Sequence, residues 1–133
     1  MPENLNKNLI NKYDLTIGSF YFYNNFMVSE VKKGVTFSVE NSSELFKLIE
    51  KHFNKNTPFF YIANRKNSYS FNPTGHYEFI ELFPNAKAFA VIAYDQLSIR
   101  IAKFEQSFIK APTGIFDNLE DAIIWGKEKI RSH

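Results

Sequence analysis

Two stretches of this chain are apolar without interruption: Phe59-Phe60-Tyr61-Ile62-Ala63 and Ala88-Phe89-Ala90-Val91-Ile92-Ala93-Tyr94. A strand that is apolar on both faces must be covered on both faces. That is the condition of a central strand in a largely parallel sheet with helices on each side, whereas a half-solvated antiparallel strand alternates. The segments around these two runs carry helical periods. Leu45, Leu48, Ile49 and Phe53 form one stripe, preceded by the N-cap candidates Asn41, Ser42 and Ser43, with Asn41 and Glu44 at capping-box spacing. Glu44 near its start and Lys51, His52 and Lys55 near its end match the helix dipole. Asn72-Pro73 predicts a short helix running to Phe83 and closed by Pro84. Asp95 caps a helix in which Leu97, Ile101, Phe104 and Phe108 recur at steps of 4, 3 and 4. Asp117 and Glu120 open a last helix with Leu119, Ala122, Ile123, Gly126 and Ile130 on one face.

The first third of the chain reads differently. Asp14 to Tyr23 alternates with period two and predicts one strand; Asn24-Asn25 predicts a tight turn, and Phe26, Val28 and Val31 a returning strand. Val35, Phe37 and Val39 alternate again and read as extended, either a short strand or an ordered lead into the next helix, and Thr113 to Phe116 predicts a short last strand. The expected fold is α/β: a single domain over residues 13–131, with a mixed, mainly parallel sheet of four to five strands. It starts with an antiparallel hairpin and carries about four helices joined by right-handed crossovers. Residues 1–12 read as a flexible lead.

Composition excludes more than it assigns. At 133 residues, 44% hydrophobic and 17% aromatic, the chain has ample material for a core and is not a disordered one. With no cysteine it has neither disulfide nor thiolate chemistry. A net charge of +2, thirteen of sixteen cations being lysine and scattered, is no nucleic-acid footprint. No apolar run approaches the ~20 residues of a membrane span, and a cytoplasmic location is expected. His52, His76 and His133 lack metal-ligand spacing and read as exposed, no G-x-S-x-G elbow occurs, and the five glycines form no phosphate loop. His76, Glu78 and Glu81 read as a solvated face. The expectation is therefore no enzyme, no catalytic residue, no metal and no cofactor. Lys87 to Tyr94 and Phe60 to Asn64 echo the paired motifs of RNA-recognition sheets, but the interval between them is too short for that fold, and a sheet with helices on both faces has no open platform.

The stretch from Tyr13 to Ile130 resembles the SpoIIAA-like, STAS-type family of small α/β domains, related to anti-sigma-factor antagonists and to SEC14-like proteins. The resemblance rests on the element order and on three segments: Ala86 to Ile92 leading into Leu97-Ser98, Ile115 to Ile123, and the loop Asn67 to Pro73. It implies a non-catalytic regulatory or interaction module with a protein partner, either another regulatory protein or a second copy in a homodimer. In partner-switching members a serine in an Asp-Ser-(Ser/Thr)-Gly loop is phosphorylated. The corresponding loop here offers Ser68 and Ser70, neither preceded by Asp nor followed by Gly. Arg65, Lys66, Asn67 and Tyr69 are the candidate partner or anion contacts beside it. The SEC14-like relatives imply an alternative, an apolar-ligand or lipid-binding module, for which Phe71, Tyr77, Ile99, Phe104 and Phe108 are the candidate surface, with a dimer contact as its competitor.

Overall fold

The structure is a computed structural model that describes residues 8–37, 41–66, 70–71, 79, 81–107 and 109–131, with backbone alone for 36, 37, 70 and 71. In chain order the elements are β1 (Asn11–Leu15), β2 (Gly18–Phe22), β3 (Phe26–Val31), β4 (Thr36–Phe37), α1 (Ser43–Phe53), β5 (Phe59–Asn64), β6 (Ser70–Phe71), β7 (Ala86–Ile92), α2 (Gln96–Gln106), β8 (Thr113–Phe116) and α3 (Leu119–Arg131). Six strands make the main sheet in the order β1-β2-β3-β5-β7-β8, and β4 pairs with β6 apart from it. The first three strands are an antiparallel meander; β3, β5, β7 and β8 are parallel. The two continuous apolar runs are the adjacent central strands β5 and β7, as their double-sided burial requires.

The sheet is thus larger than the four to five strands read from the sequence, and three helices are described besides the helical residues Phe79, Glu81 and Leu82. One added strand comes from Asp14 to Tyr23, which is not a single strand but the greater part of a hairpin. Leu15 pairs with Gly18, and the chain turns at Thr16-Ile17. The turn is invisible in the pattern because Ile17 is apolar and buried. Its carbonyl accepts the Lys32 amide at 2.8 Å. Gly18 is the residue that permits this crossing, since a Cβ there would run into the Glu30 carbonyl and stand 2.8 Å from the Val31 Cα. β1 begins at Asn11, inside the stretch read as a lead.

The turn at Asn24-Asn25 is present, with the Tyr23 amide donating to the Phe26 carbonyl at 2.9 Å. Neither asparagine adopts positive φ, however; among the described residues the asparagines with positive φ are Asn8 and Asn54, the latter closing α1. Of the three cap candidates Asn41, Ser42 and Ser43, Ser42 is the N-cap of α1, and its side chain makes no cap bond. One capping detail differs. Asn118, not Asp117, caps α3, accepting the Asp121 amide at 2.8 Å.

Strand alternation divides the core in two. One face of the sheet presents Tyr21, Tyr23, Phe26, Val28, Phe60, Ile62, Ala88, Ala90 and Ile92 to α3. The other presents Phe20, Phe22, Met27, Phe59 and Phe89 to α1 and to Phe79 and Phe83. Further along that second face Ala63 and Val91 meet Ala102 of α2. With helices on both faces, the sheet aromatics are core. α3 lies so close to the sheet that a Cβ on Gly126 would overlap the ring of fully buried Phe60. His52 is half-buried rather than exposed. Its ring stacks on Phe22 at 4.4 Å, and Nε2 meets the Tyr13 hydroxyl at 2.9 Å.

Candidate functional site

In an open α/β sheet, ligands and partners meet the carboxyl ends of the parallel strands, where loops leave the sheet with their backbone groups unladdered. Here those ends bring together Glu30 from β3, Asn64, Arg65 and Lys66 at and beyond β5, and Tyr94 beyond β7. Because side chains alternate along a strand, these residues divide between the two faces.

On the α3 face, the Glu30 carboxylate is the hub, with its side chain only 10% exposed. It accepts the Tyr21 hydroxyl at 3.2 Å and Asn64 Nδ2 at 3.0 Å, and Lys66 Nζ stands 3.7 Å away. Asn64 is buried and in turn accepts the Tyr94 hydroxyl at 2.6 Å. Burial, reinforced by the Glu30 charge, pushes the Tyr21 phenol up to about 12. Burial raises the Tyr94 phenol as well, so both stay protonated donors at neutral pH.

On the opposite face Arg65 and Glu105 meet at 2.5 Å, with side chains 9% and 10% exposed. This ion pair ties the end of β5 to α2. Burial holds the Glu105 carboxyl above the ordinary carboxylate range, and the Arg65 guanidinium opposes that shift. Asp95 and Gln106 fix the two ends of the helix. Asp95 accepts the Ser98 amide at 2.8 Å, and Gln106 Nε2 donates to the Thr113 carbonyl of β8 at 2.8 Å.

Held in this way, α2 buries Ala102 and Glu105 and turns its main apolar stripe outward: Leu97 is 67% exposed, Ile101 41% and Phe104 65%. The helical period at 97, 101 and 104 is real, but the face it marks is not the core face. Phe104 lies on that exposed flank, and Ile99 is half-buried. Arg65 points inward to Glu105, while Lys66, 44% exposed at its side chain, reaches back to Glu30. Asn67, Ser68, Tyr69, Tyr77 and Phe108 lie outside the described residues; so do the side chains of Ser70 and Phe71, whose backbones form β6 beside β4. Sequence reading missed Glu30, Asn64, Tyr94 and Glu105. The available signals were polar residues closing apolar strands and a carboxylate three residues from Ala102.

At the other end of the sheet a cavity of about 890 Å³ opens between residues 8–10, the β2–β3 turn and α3. Its walls include Ile10, Tyr23, Phe26, Ile124 and Lys127. Among the described residues no three His, Asp or Glu side chains gather as a metal site, and no helix is long and apolar enough to cross a membrane.

Fold and site together define a small α/β domain, helix-covered on both faces, with a polar-braced carboxyl edge. No family model matches the chain, and no curated protein matches it significantly. Among solved structures it is similar to an uncharacterized protein of the DUF3478 family from Shewanella loihica, which has a SpoIIAA-like fold. The two share 12% identity over 87% of this chain and 90% of that one, with a TM-score of 0.55. The chain therefore has a SpoIIAA-like fold, as its sequence resemblance implies; at this identity the likeness is one of fold.

Proposed function

We propose that this chain is a non-catalytic regulatory module of the cytoplasm that acts by binding another protein, with the outer flank of α2 as its contact surface. The observation that carries this is the exposure of Leu97, Ile101 and Phe104 in one line on a helix fixed at both ends by Asp95 and Gln106. An exposed apolar line along one helix is the kind of surface that a partner helix covers. A non-catalytic role draws support from the carboxyl edge itself: Glu30 and Glu105 are each engaged in bracing the fold rather than presented to solvent.

The test is recovery of a stoichiometric partner by tagged protein, followed by reconstitution from purified components. Wild type and Ile124→Asp, at the far end of the domain, should form the complex, and Leu97→Asp should not. Equal complex formation by Leu97→Asp would remove α2 as the surface. Switching by phosphorylation of Ser68 or Ser70 is the finer form of this proposal and rests on the family resemblance. Asp at either serine should weaken the purified complex while Ala does not.

The alternative, an apolar-ligand module, has an observation of its own in the cavity beside Ile10 and Ile124, whose volume suits a small ligand. Native mass spectrometry of freshly purified protein should then show a bound apolar molecule that is lost in Ile124→Asp.

A further inference from the structure

We infer that the segment received by the α2 flank is an acidic amphipathic helix, an assignment that rests on the protein-binding function proposed above. Leu97, Ile101 and Phe104 fall at i, i+4 and i+7, the spacing with which one helix presents a seam of side chains to another. The seam is straight, belongs to one element, and is held by the Asp95 cap, the Arg65–Glu105 pair and the Gln106 bond to β8. A partner thus meets a preorganised ridge and orders little of this chain on binding.

Charge decides what flanks the partner's own seam. Arg100 is three residues from Leu97 and four from Phe104, in the row alongside the stripe, and is exposed; Lys103 is exposed farther round the helix. The acids of α2 do not offset them at the seam. Glu105 is buried against Arg65, and the Asp95 carboxylate is engaged at the helix start, where the Ser98 amide holds its carboxyl below the usual range. The solvent-side rim of the apolar line therefore carries a cation, Arg100. A second copy of the chain would oppose like charges there, whereas carboxylates on the partner complement Arg100.

The probe is a pair of synthetic helical peptides sharing one Leu/Ile seam, flanked by Glu in one and Lys in the other. Binding is read by fluorescence anisotropy and by backbone amide shifts across α2. The Glu peptide should bind roughly tenfold or more tightly than the Lys peptide, weaken with added salt, and shift amides from Leu97 to Phe104. The variant Arg100→Glu/Lys103→Glu should reverse the preference. Equal binding of both peptides that is lost in Leu97→Asp overturns the acidic assignment and leaves the apolar contact standing. Absence of binding to either peptide overturns the helical occupant, and the reconstitution test above still judges protein binding independently. Sedimentation with phosphatidylcholine–phosphatidylserine vesicles, abolished by Leu97→Asp, would also overturn it by reassigning the flank to an anionic membrane. Self-association lost in the same variant would do so by reassigning it to a second copy.

Discussion

Replacing Arg65 with Met tests the brace on which the α2 surface depends. The substitution keeps most of the side-chain volume and leaves Glu105 buried without its cation. The least costly response is for the carboxyl, already held above its ordinary 4.5, to take up a proton. Keeping that proton in the folded state while the unfolded chain ionises costs at most about 3.4 kcal/mol at pH 7 and about 0.7 kcal/mol at pH 5. Urea denaturation should therefore show Arg65→Met to be destabilised by up to about 3 kcal/mol at pH 7, with most of the deficit gone at pH 5. Arg65→Met/Glu105→Leu, which removes both charges, should return close to wild-type stability at both values. A deficit independent of pH, or a double variant no better than the single one, would refute the view that an uncompensated carboxylate is the cause.

Three further outcomes follow from packing and protonation. Gly126→Ala gains about 1 kcal/mol of helix propensity, but its methyl must displace the buried Phe60 ring. Net destabilisation of roughly 1–2 kcal/mol by thermal unfolding is expected, with the sign reversing when Phe60→Leu makes room. Asn85 donates to the carbonyls of Phe53, Asn54 and Thr57 where α1 ends; Asn85→Ala should cost about 1–3 kcal/mol in denaturant midpoint. Burial, with Lys51 second, holds the His52 imidazole below 6.5. The unfolded chain therefore takes up the proton first, and stability should fall as pH drops through 6.5. His52→Phe should flatten that limb and leave the opposite one, in which stability contributed by Glu105 declines as pH rises above 4.5.

Much of the fold is legible in local pattern because its causes are local. Phe59 to Ala63 and Ala86 to Ile92 had to be central strands, since no half-solvated strand tolerates two apolar faces. Asp95 caps its helix through its own side chain and is readable as such. The β1–β2 hairpin is not. Its turn contains buried Ile17 and signals itself only through Gly18, whose need is a close approach to Glu30 and Val31 twelve and thirteen residues on. The candidate site is still less legible. Arg65 stands out as a cation after a strand, but nothing near it names Glu105, forty residues later, as its partner.

By itself the sequence determines that this chain makes a helix-covered α/β layer, because apolar runs, caps and periods act through neighbours along the backbone. Which face of α2 is inside is a tertiary matter. The period at Leu97, Ile101 and Phe104 is equally consistent with a stripe facing the sheet or solvent, and the choice falls to Ala102, small enough to sit on Ala63 and Val91, and to a buried ion pair. Glu30 likewise becomes the hub of the carboxyl edge only because parallel pairing of β3 with β5 brings Asn64 within 3.0 Å of it. Such pairings arise between residues tens of positions apart, and the assembled sheet is what places them in contact.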